Sequence, residues 1–144
     1  MTSIKFGVTA KSENDTKTIV ETRGFKMTID EPENMGGTNA GANPVEYVLA
    51  ALAGCLNVVG HLVARDMGFK LNSLELAVEG DLDPAKFSGK SMDGRAGYSE
   101  IRVTLKPDSN MDKDTLDKWI KTVESRCPVS DNISNPTSLH IMLG

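Results

Sequence analysis

Apolar and polar residues alternate along the N-terminal part of the chain in the way that is typical of β-strands. The alternation predicts a first strand over Ile4–Ala10, and two further short strands follow at Thr18–Glu21 and Phe25–Ile29. The polar run Lys11–Lys17 predicts a hairpin turn between the first two strands. Asp30–Ala42 is rich in Gly, Pro and Asn, which predicts a loop after this three-stranded meander.

A long helix is predicted next, because start and stop signals flank an apolar segment. Asn43 is a favoured N-cap residue, Pro44 occupies the first helical position, and Glu46 stands three residues after the cap. The pattern continues to about Met67, and Gly68 is a natural C-terminal stop.

Within this helix, Val45–Ala64 is apolar enough and long enough to cross a membrane. Glu46 and His61 would be unfavourable inside a lipid bilayer, so a central helix buried on nearly all sides of a globular protein is the favoured interpretation, with no membrane span. The small residues that precede Cys55 (Ala50, Ala51, Ala53 and Gly54) would let a second helix backbone approach closely. A homodimer that packs two such helices together would cover this apolar surface.

The remaining elements are predicted from shorter patterns. In chain order they are a strand at Leu74–Val78, a long connection over Asp83–Gly97, a strand at Ile101–Leu105, a helix from Asp112 to just before Cys127, a short helical turn at Val129–Ile133 and a final strand over Leu139–Leu143. The order β-β-β-α-β-β-α-β predicts an α+β fold in one domain spanning residues 1–144.

Composition narrows the class of protein. The 144 residues are 39% hydrophobic and 25% charged, as in globular proteins. A net charge of −4 with no clustered basic face argues against nucleic-acid binding. Polar and charged residues follow Met1, so no secretory signal is predicted, and the expected location is the reducing cytoplasm.

Two cysteines are the candidate chemical groups. Cys55 lies in the middle of the long helix, where a free cysteine commonly serves as a small buried apolar residue. Cys127 precedes Pro128 at a predicted helix start, where backbone amides could lower the pKa of its thiol. A small residue at a helix cap would explain Cys127 equally well, so the residues alone leave both interpretations open.

Two motifs resemble those of a known family. The first comprises Asp30-Glu31-Pro32, Gly36-Gly37, Asn43-Pro44-Val45-Glu46 and Leu49-Ala50-Ala51-Leu52-Ala53-Gly54-Cys55, and the second is Cys127-Pro128-Val129-Ser130. The chain thereby resembles the OsmC/Ohr superfamily of osmotically inducible and organic hydroperoxide resistance proteins. The resemblance implies an intertwined homodimer with an α+β fold and a thiol-dependent peroxidase that acts on organic hydroperoxides and in part on hydrogen peroxide. It also implies an external dithiol reductant, such as a lipoyl protein, and no bound cofactor.

The resemblance assigns roles to four residues. Cys55 would be the peroxidatic cysteine and Cys127 the resolving cysteine, while Glu46 would hold the arginine that stabilises the thiolate. Glu46 could equally serve as the capping-box partner of Asn43. Glu46 and Cys55 face opposite sides of the helix, about 13.5 Å apart along its axis. We therefore expect a site across the dimer interface, with Glu46 of one subunit serving Cys55 of the other.

The arginine is where the sequence departs from the best-characterised branch. The hydroperoxide-resistance branch has an arginine in the first hairpin, where this chain has Lys11–Lys17 without one. Arg23 is the only arginine before the long helix and is therefore the candidate. The alternative interpretation of Arg23 is an exposed arginine at a strand edge. The stretch Lys11–Lys17 is more similar to the OsmC-like branches of the superfamily than to the hydroperoxide-resistance branch.

Zinc binding and apolar-ligand binding are the two other functions that these residues bring into question. The two cysteines with His61 and His140 supply enough ligands for zinc, but their spacing fits no compact zinc motif, so no metal site is predicted. A non-catalytic module that binds an apolar ligand in the dimer cleft is the alternative to a peroxidase, and Met27, Met35 and Met92 would suit it. The long connection over Asp83–Gly97 has no assigned role.

Overall fold

The computed structural model describes residues 2–144, which divide into two compact units, one up to Val48 and one over Leu49–Gly144. The elements in chain order are β1 (Thr9–Ser12), β2 (Thr18–Thr22), β3 (Phe25–Ile29), a single 3-10 turn (Glu33–Met35), α1 (Pro44–Asp66), β4 (Ser73–Asp81), β5 (Glu100–Asp108), α2 (Lys113–Arg126) and α3 (Pro128–Ser134). The architecture is α+β with antiparallel sheets, which confirms the predicted fold class. That all 144 residues act as one domain stays a prediction.

The N-terminal unit contains a three-stranded antiparallel sheet in the order β1-β2-β3, so the predicted meander is confirmed. A two-residue turn joins β2 to β3, with Arg23 at φ 49° and Gly24 at φ 86°, as hairpin turns of this length require. The first strand begins at Thr9 rather than Ile4. Thr9 pairs with Glu21, and β2 ends one residue later at Thr22. The residues before Thr9 therefore have almost no part of β2 left to pair with.

A buried carboxylate organises the loop between β3 and α1. Asp30 is fully buried, and its side chain accepts hydrogen bonds from the backbone N–H groups of Glu31, Thr38 and Ala40 and from the Thr38 hydroxyl. The Thr38 hydroxyl bond, at 2.6 Å, and the backbone donors hold the pKa of the Asp30 carboxyl well below its usual range. This carboxylate therefore fixes a loop that has little regular secondary structure of its own.

We expect Asp30→Asn to lower the melting temperature by several degrees at pH 7, because an amide nitrogen would replace one acceptor oxygen among these donors. The lowered pKa means that ionised Asp30 stabilises the fold above about pH 3.9, its unfolded pKa, and that this contribution is lost as the pH falls further. Thermal melts of wild type and variant should therefore converge in acid. The exposed Asp15→Asn is the control, and an equal effect at both positions would contradict the assignment.

Helix α1 has the two end structures that its sequence predicts. The Asn43 backbone N–H donates to Glu46 Oε2 at 2.8 Å, and the Glu46 N–H donates to Asn43 Oδ1 at 2.9 Å, which is a reciprocal capping box. At the other end the Phe69 N–H donates to the carbonyl of Ala64, and Gly68 at φ 82° donates to that of Arg65. This is a Schellman motif, and it ends the helix where Gly68 predicts.

Burial on nearly all sides of α1 is not observed within the described chain. One face is buried and comprises Leu52, Leu56, Val59, Gly60, Val63 and Ala64. On another face Val58 is 65% exposed, and Val48, one turn before Leu52 on the same side of the helix, is 41% exposed. The helix is apolar and long enough to cross a membrane, but its buried face belongs to the protein core, so the described residues give no indication of a membrane protein.

The C-terminal unit packs a two-stranded antiparallel sheet and two helices around the buried face of α1. Its core residues are Leu52, Leu56, Val59, Val63, Ala64, Leu71, Trp119, Val123 and Cys127. Trp119 on α2 is 1% exposed, and its indole Nε1–H donates to the carbonyl of Gly60 on α1 at 2.9 Å. A methyl group on Gly60 would lie 3.2 Å from the Trp119 ring, so a glycine allows this close contact.

The final strand predicted over Leu139–Leu143 does not form in the described chain. Leu139 is 80% exposed, Ile141 88% exposed and Leu143 fully exposed, and the segment has no regular secondary structure. A strand needs a neighbouring strand for its backbone hydrogen bonds, and neither described sheet supplies one to this segment. His140, expected on the polar face of that strand, lies in the same exposed tail.

Candidate active site

The structure brings the two cysteines together. Cys55 lies in the middle of α1 and Cys127 lies between α2 and α3, and their Sγ atoms are 3.1 Å apart. Both are free thiols, so this is a hydrogen-bonded contact and not a disulfide. Cys127 is 1% exposed, whereas Cys55 is half-buried. A solute can therefore reach Cys55 more readily than Cys127.

The proline that follows Cys127 determines its backbone conformation. A residue before proline is driven out of helical geometry, and Cys127 is extended, with φ −82° and ψ 110°. It therefore ends α2 and caps α3, where its Sγ accepts a hydrogen bond from the Ser130 N–H at 3.4 Å. Pro128 occupies the first position of α3, as the sequence predicts for a helix that restarts after Cys127.

The electrostatic surroundings of Cys55 disfavour its thiolate in the isolated chain. Burial raises the pKa of the Cys55 thiol, and the neighbouring Cys127 raises it further. The backbone N–H of Val129 donates to the sulfur and opposes this rise. The effects on this pKa come from burial, Cys127 and Val129, and none of these is a cation.

The other two predicted site residues lie in the N-terminal unit, each with a local structural role. Glu46 is exposed at the start of α1 and forms the capping box with Asn43. Arg23 occupies the β2–β3 turn, with its guanidinium carbon 5.6 Å from the centre of the Phe25 ring. The capping box matches the alternative interpretation of Glu46, whereas Arg23 lies in a turn and not at a strand edge. The proposed action of both residues on Cys55 stays a prediction.

The zinc ligand set does not assemble. Among residues 2–144, no group of three or more His, Cys, Asp or Glu side chains is arranged to hold a metal ion. His61 is exposed on α1 and His140 lies in the exposed tail. The two cysteines therefore form a site of their own.

Sequence reasoning missed two features beside the thiols. The first is the action of the Val129 N–H on Cys55, whereas the Ser130 N–H donates to Cys127 as the predicted helix start after Cys127 leads one to expect. The second is a cavity of about 320 Å³, which no local pattern could indicate because distant segments form it. It is lined by Leu52, Ile101, Val103, Leu105, Ile120, Glu124, Ser130, Ile133 and Ser134. Ser130, whose backbone N–H donates to the Cys127 sulfur, is also one of the residues that line this cavity.

Comparison with known proteins decides the family. A sequence profile described as OsmC-like protein matches residues 37–142, which include both cysteines. The chain belongs to the OsmC-like family. No functionally curated protein matches this OsmC-like chain significantly.

Solved structures agree on the fold of the OsmC-like chain. An OsmC-like protein from Mycoplasma pneumoniae is 23% identical, with a TM-score of 0.79 over 92% of this chain and 89% of that one. An organic hydroperoxide resistance protein OsmC from Legionella pneumophila is 20% identical, with a TM-score of 0.65 over 91% of each chain. Another from Elizabethkingia anophelis, with thiocyanate bound, is 19% identical, with a TM-score of 0.66 over 90% of this chain and 88% of that one.

Proposed function

We propose that this OsmC-like protein is a thiol-dependent peroxidase that reduces organic hydroperoxides through Cys55 and Cys127. The observation that supports it best is the 3.1 Å contact between a half-buried and a fully buried thiol. Such a pair can pass from dithiol to disulfide with a small movement of one side chain, since a disulfide needs sulfurs about 2.05 Å apart. Two structurally similar proteins bear the name organic hydroperoxide resistance protein, which favours the same chemistry.

The two thiols have different roles in the proposed reaction. The Cys55 thiolate attacks the terminal oxygen of the hydroperoxide, the O–O bond breaks, and an alcohol leaves as Cys55 becomes a sulfenic acid. The Cys127 thiol then attacks the Cys55 sulfur, water leaves, and a Cys55–Cys127 disulfide forms. An external dithiol, such as a protein-bound lipoyl group, returns both cysteines to thiols by exchange. Both thiols would be kept reduced between cycles in the cytoplasm.

Exposure favours this order of events over the reverse. Peroxide must reach the first sulfur from solvent, and Cys55 is the more accessible thiol. Cys127 is almost inaccessible to solvent but contacts Cys55, so it can react only with the sulfenic acid that forms on Cys55. The cavity, lined by aliphatic side chains such as Leu52 and Ile133 together with the polar Glu124 and Ser130, has room for the carbon chain of an organic hydroperoxide.

Steady-state turnover tests the proposal. Reduced protein should consume cumene hydroperoxide in the presence of a dithiol such as dihydrolipoamide, with one alcohol formed per dithiol oxidised. Hydrogen peroxide should be a poorer substrate at equal concentration. A rate no greater than that of the dithiol alone would contradict the proposal.

A second copy of the chain is proposed to complete the site. The raised pKa of the Cys55 thiol requires a positive charge, and Arg23 held by Glu46 of a second subunit would supply it. Apolar residues that stay exposed in each unit are available for such an interface. They are Ile4, Phe6 and Val8 near the N-terminus, Val48 and Val58 on α1, and Leu139, Ile141 and Leu143 in the tail.

We expect Val58→Asp to dissociate the homodimer, because a charge would replace a 65% exposed valine on the uncovered face of α1. Sedimentation should show a dimer for wild type and a monomer for the variant, with circular dichroism confirming that both are folded. The monomer should also lose the fast phase of Cys55 oxidation. The exposed Ser73→Asp is the control and should stay dimeric. A fully active Val58→Asp monomer would contradict the shared site.

Arg23 is tested with two substitutions that respect its backbone. Its positive φ favours Asn, so Arg23→Asn removes the charge with little strain, while Arg23→Lys keeps the charge. We expect Arg23→Asn to slow Cys55 oxidation at pH 7 about tenfold or more, because an opposite charge lowers a thiol pKa by about one unit or more. Raising the pH should restore the rate. Arg23→Lys should lose less, and Lys26→Asn in the same hairpin should have no effect. Equal rates in Arg23→Asn and wild type would exclude Arg23.

A further inference from the structure

The geometry of the thiol pair also bears on ligands that bind two sulfurs without any change in oxidation state. Its sulfurs touch at 3.1 Å, and among residues 2–144 no His, Asp or Glu completes a metal-binding group around them. Two thiolates on a tetrahedral zinc ion would lie about 3.8 Å apart, given Zn–S bonds of about 2.3 Å, and zinc would still lack two ligands. A linear two-coordinate ion would need the sulfurs on opposite sides of the metal. The pair therefore suits a centre that needs only two sulfurs, side by side.

We propose that Cys55 and Cys127 form a binding site for monosubstituted trivalent arsenicals. Such a centre is pyramidal, with bond angles near a right angle, and carries its own organic group as the third substituent. Two sulfurs bound to one arsenic atom are consequently close to mutual contact, as these two are. The inference concerns the same thiols as the proposed peroxidase but does not require them to react with peroxide.

The binding step is a condensation and not an oxidation. An organoarsenic oxide, R–As=O, reacts with the two thiols, two As–S bonds form, the bonds from arsenic to oxygen break, and one water molecule leaves with both thiol protons. Arsenic stays trivalent and neither sulfur is oxidised, so no further reactant is needed.

Access and space in the structure suit this sequence of steps. Half-buried Cys55 can form the first As–S bond with an arsenical from solvent. Cys127, in contact with Cys55, can then form the second As–S bond from the buried side. The organic group needs an apolar space next to the sulfurs. Ser130, whose backbone N–H donates to the Cys127 sulfur, also lines the 320 Å³ cavity, which is large enough for a phenyl ring and has aliphatic residues such as Leu52 and Ile133 in its wall.

Phenylarsine oxide is the probe, used with the reduced full-length protein under native conditions. Intact mass should show one phenylarsenic group per chain with the loss of two hydrogens, and both cysteines should become resistant to alkylation. Excess glutathione should leave the adduct in place, whereas a dithiol should remove it. Cys55→Ser and Cys127→Ser should each weaken binding about 100-fold or more, because the second bond forms within one molecule.

Every outcome of the phenylarsine oxide experiment supports or overturns the arsenical site. Wild type that has first been oxidised to the disulfide should not bind, which tests the thiol requirement without any substitution. Absence of an adduct on reduced wild type, or equal affinity in Cys127→Ser, would overturn the arsenical site. If the adduct fails to form in protein that still turns over peroxide, the peroxidase proposal stands alone. If it forms in protein inert to peroxide, the arsenical site stands and the peroxidase proposal fails.

Discussion

Replacing Cys55 with serine is expected to reduce peroxide turnover to the background rate of the dithiol reductant. The serine hydroxyl is not ionised near neutral pH and does not attack an O–O bond at a useful rate. Cys127 stays in this variant but is 1% exposed, so it is shielded from peroxide in solution. The measurement is steady-state consumption of cumene hydroperoxide with dihydrolipoamide, at equal concentrations of wild type and variant.

Cys127→Ser is the matched variant, with a different expected result. Serine is a favoured N-cap residue, so α3 should still begin at Pro128 and the local backbone should be kept. Cys55 should be oxidised once at close to the wild-type rate, and the sulfenic acid should persist and react with dimedone. Turnover should then be slow, because disulfide formation is blocked. Equal turnover in Cys55→Ser and wild type would reject the mechanism.

Trp119→Ala should produce the largest loss of stability, about 3–5 kcal/mol in the free energy of unfolding. The indole is 1% exposed at the centre of the C-terminal unit, and its removal would leave a cavity between α1 and α2. Trp119 is the only tryptophan, so urea unfolding should be followed by circular dichroism and not by fluorescence. A change below about 1 kcal/mol would show that the core depends little on this side chain.

Trp119→Phe separates packing from hydrogen bonding. The phenyl ring keeps most of the apolar contact but leaves the Gly60 carbonyl without its indole donor, so a loss of about 1–3 kcal/mol is expected. The same bond joins the two helices that bear the cysteines, α1 with Cys55 and α2 ending before Cys127. Trp119→Ala should therefore also lengthen the lifetime of the Cys55 sulfenic acid, because the two sulfurs lose their fixed separation.

Helix ends were the most predictable part of the fold, because their signals are local. Asn43, Pro44 and Glu46 predict the start of α1, and the capping box forms with those residues. Asp112 likewise caps α2 and accepts a hydrogen bond from the Thr115 N–H. These contacts depend on residues three positions apart, so a single sequence contains all the information needed.

The chain termini were less predictable, because alternation indicates a strand but not its partner. Ile4–Val8 and Leu139–Leu143 alternate as strands do, yet both segments are exposed in the chain. Such a segment becomes a strand only when another strand pairs with it, and sequence pattern cannot show whether that strand lies in the same chain. The β4–β5 pair, by contrast, is longer than predicted because both of its members are present.

The candidate site was predictable in its members but not in its geometry. Family motifs point to Cys55 and Cys127, but the contact between residues 72 positions apart depends on how α1 packs against α2. That packing rests on the Trp119–Gly60 contact, which carries no local signal. The Val129 amide was missed as a partner of Cys55, because the sequence places it next to Cys127 and only the packing of α1 brings Cys55 to it.

The central claim is that the two thiols act together on peroxide, and rapid mixing of the reduced protein with cumene hydroperoxide tests it most directly. Thiol loss should be followed in the stopped flow, and quenched samples should be analysed by intact mass and peptide mapping. We predict loss of two thiols per chain, much faster than for free cysteine, with a Cys55–Cys127 disulfide as the product. Oxidation no faster than that of free cysteine, or a product without that disulfide, would contradict the account.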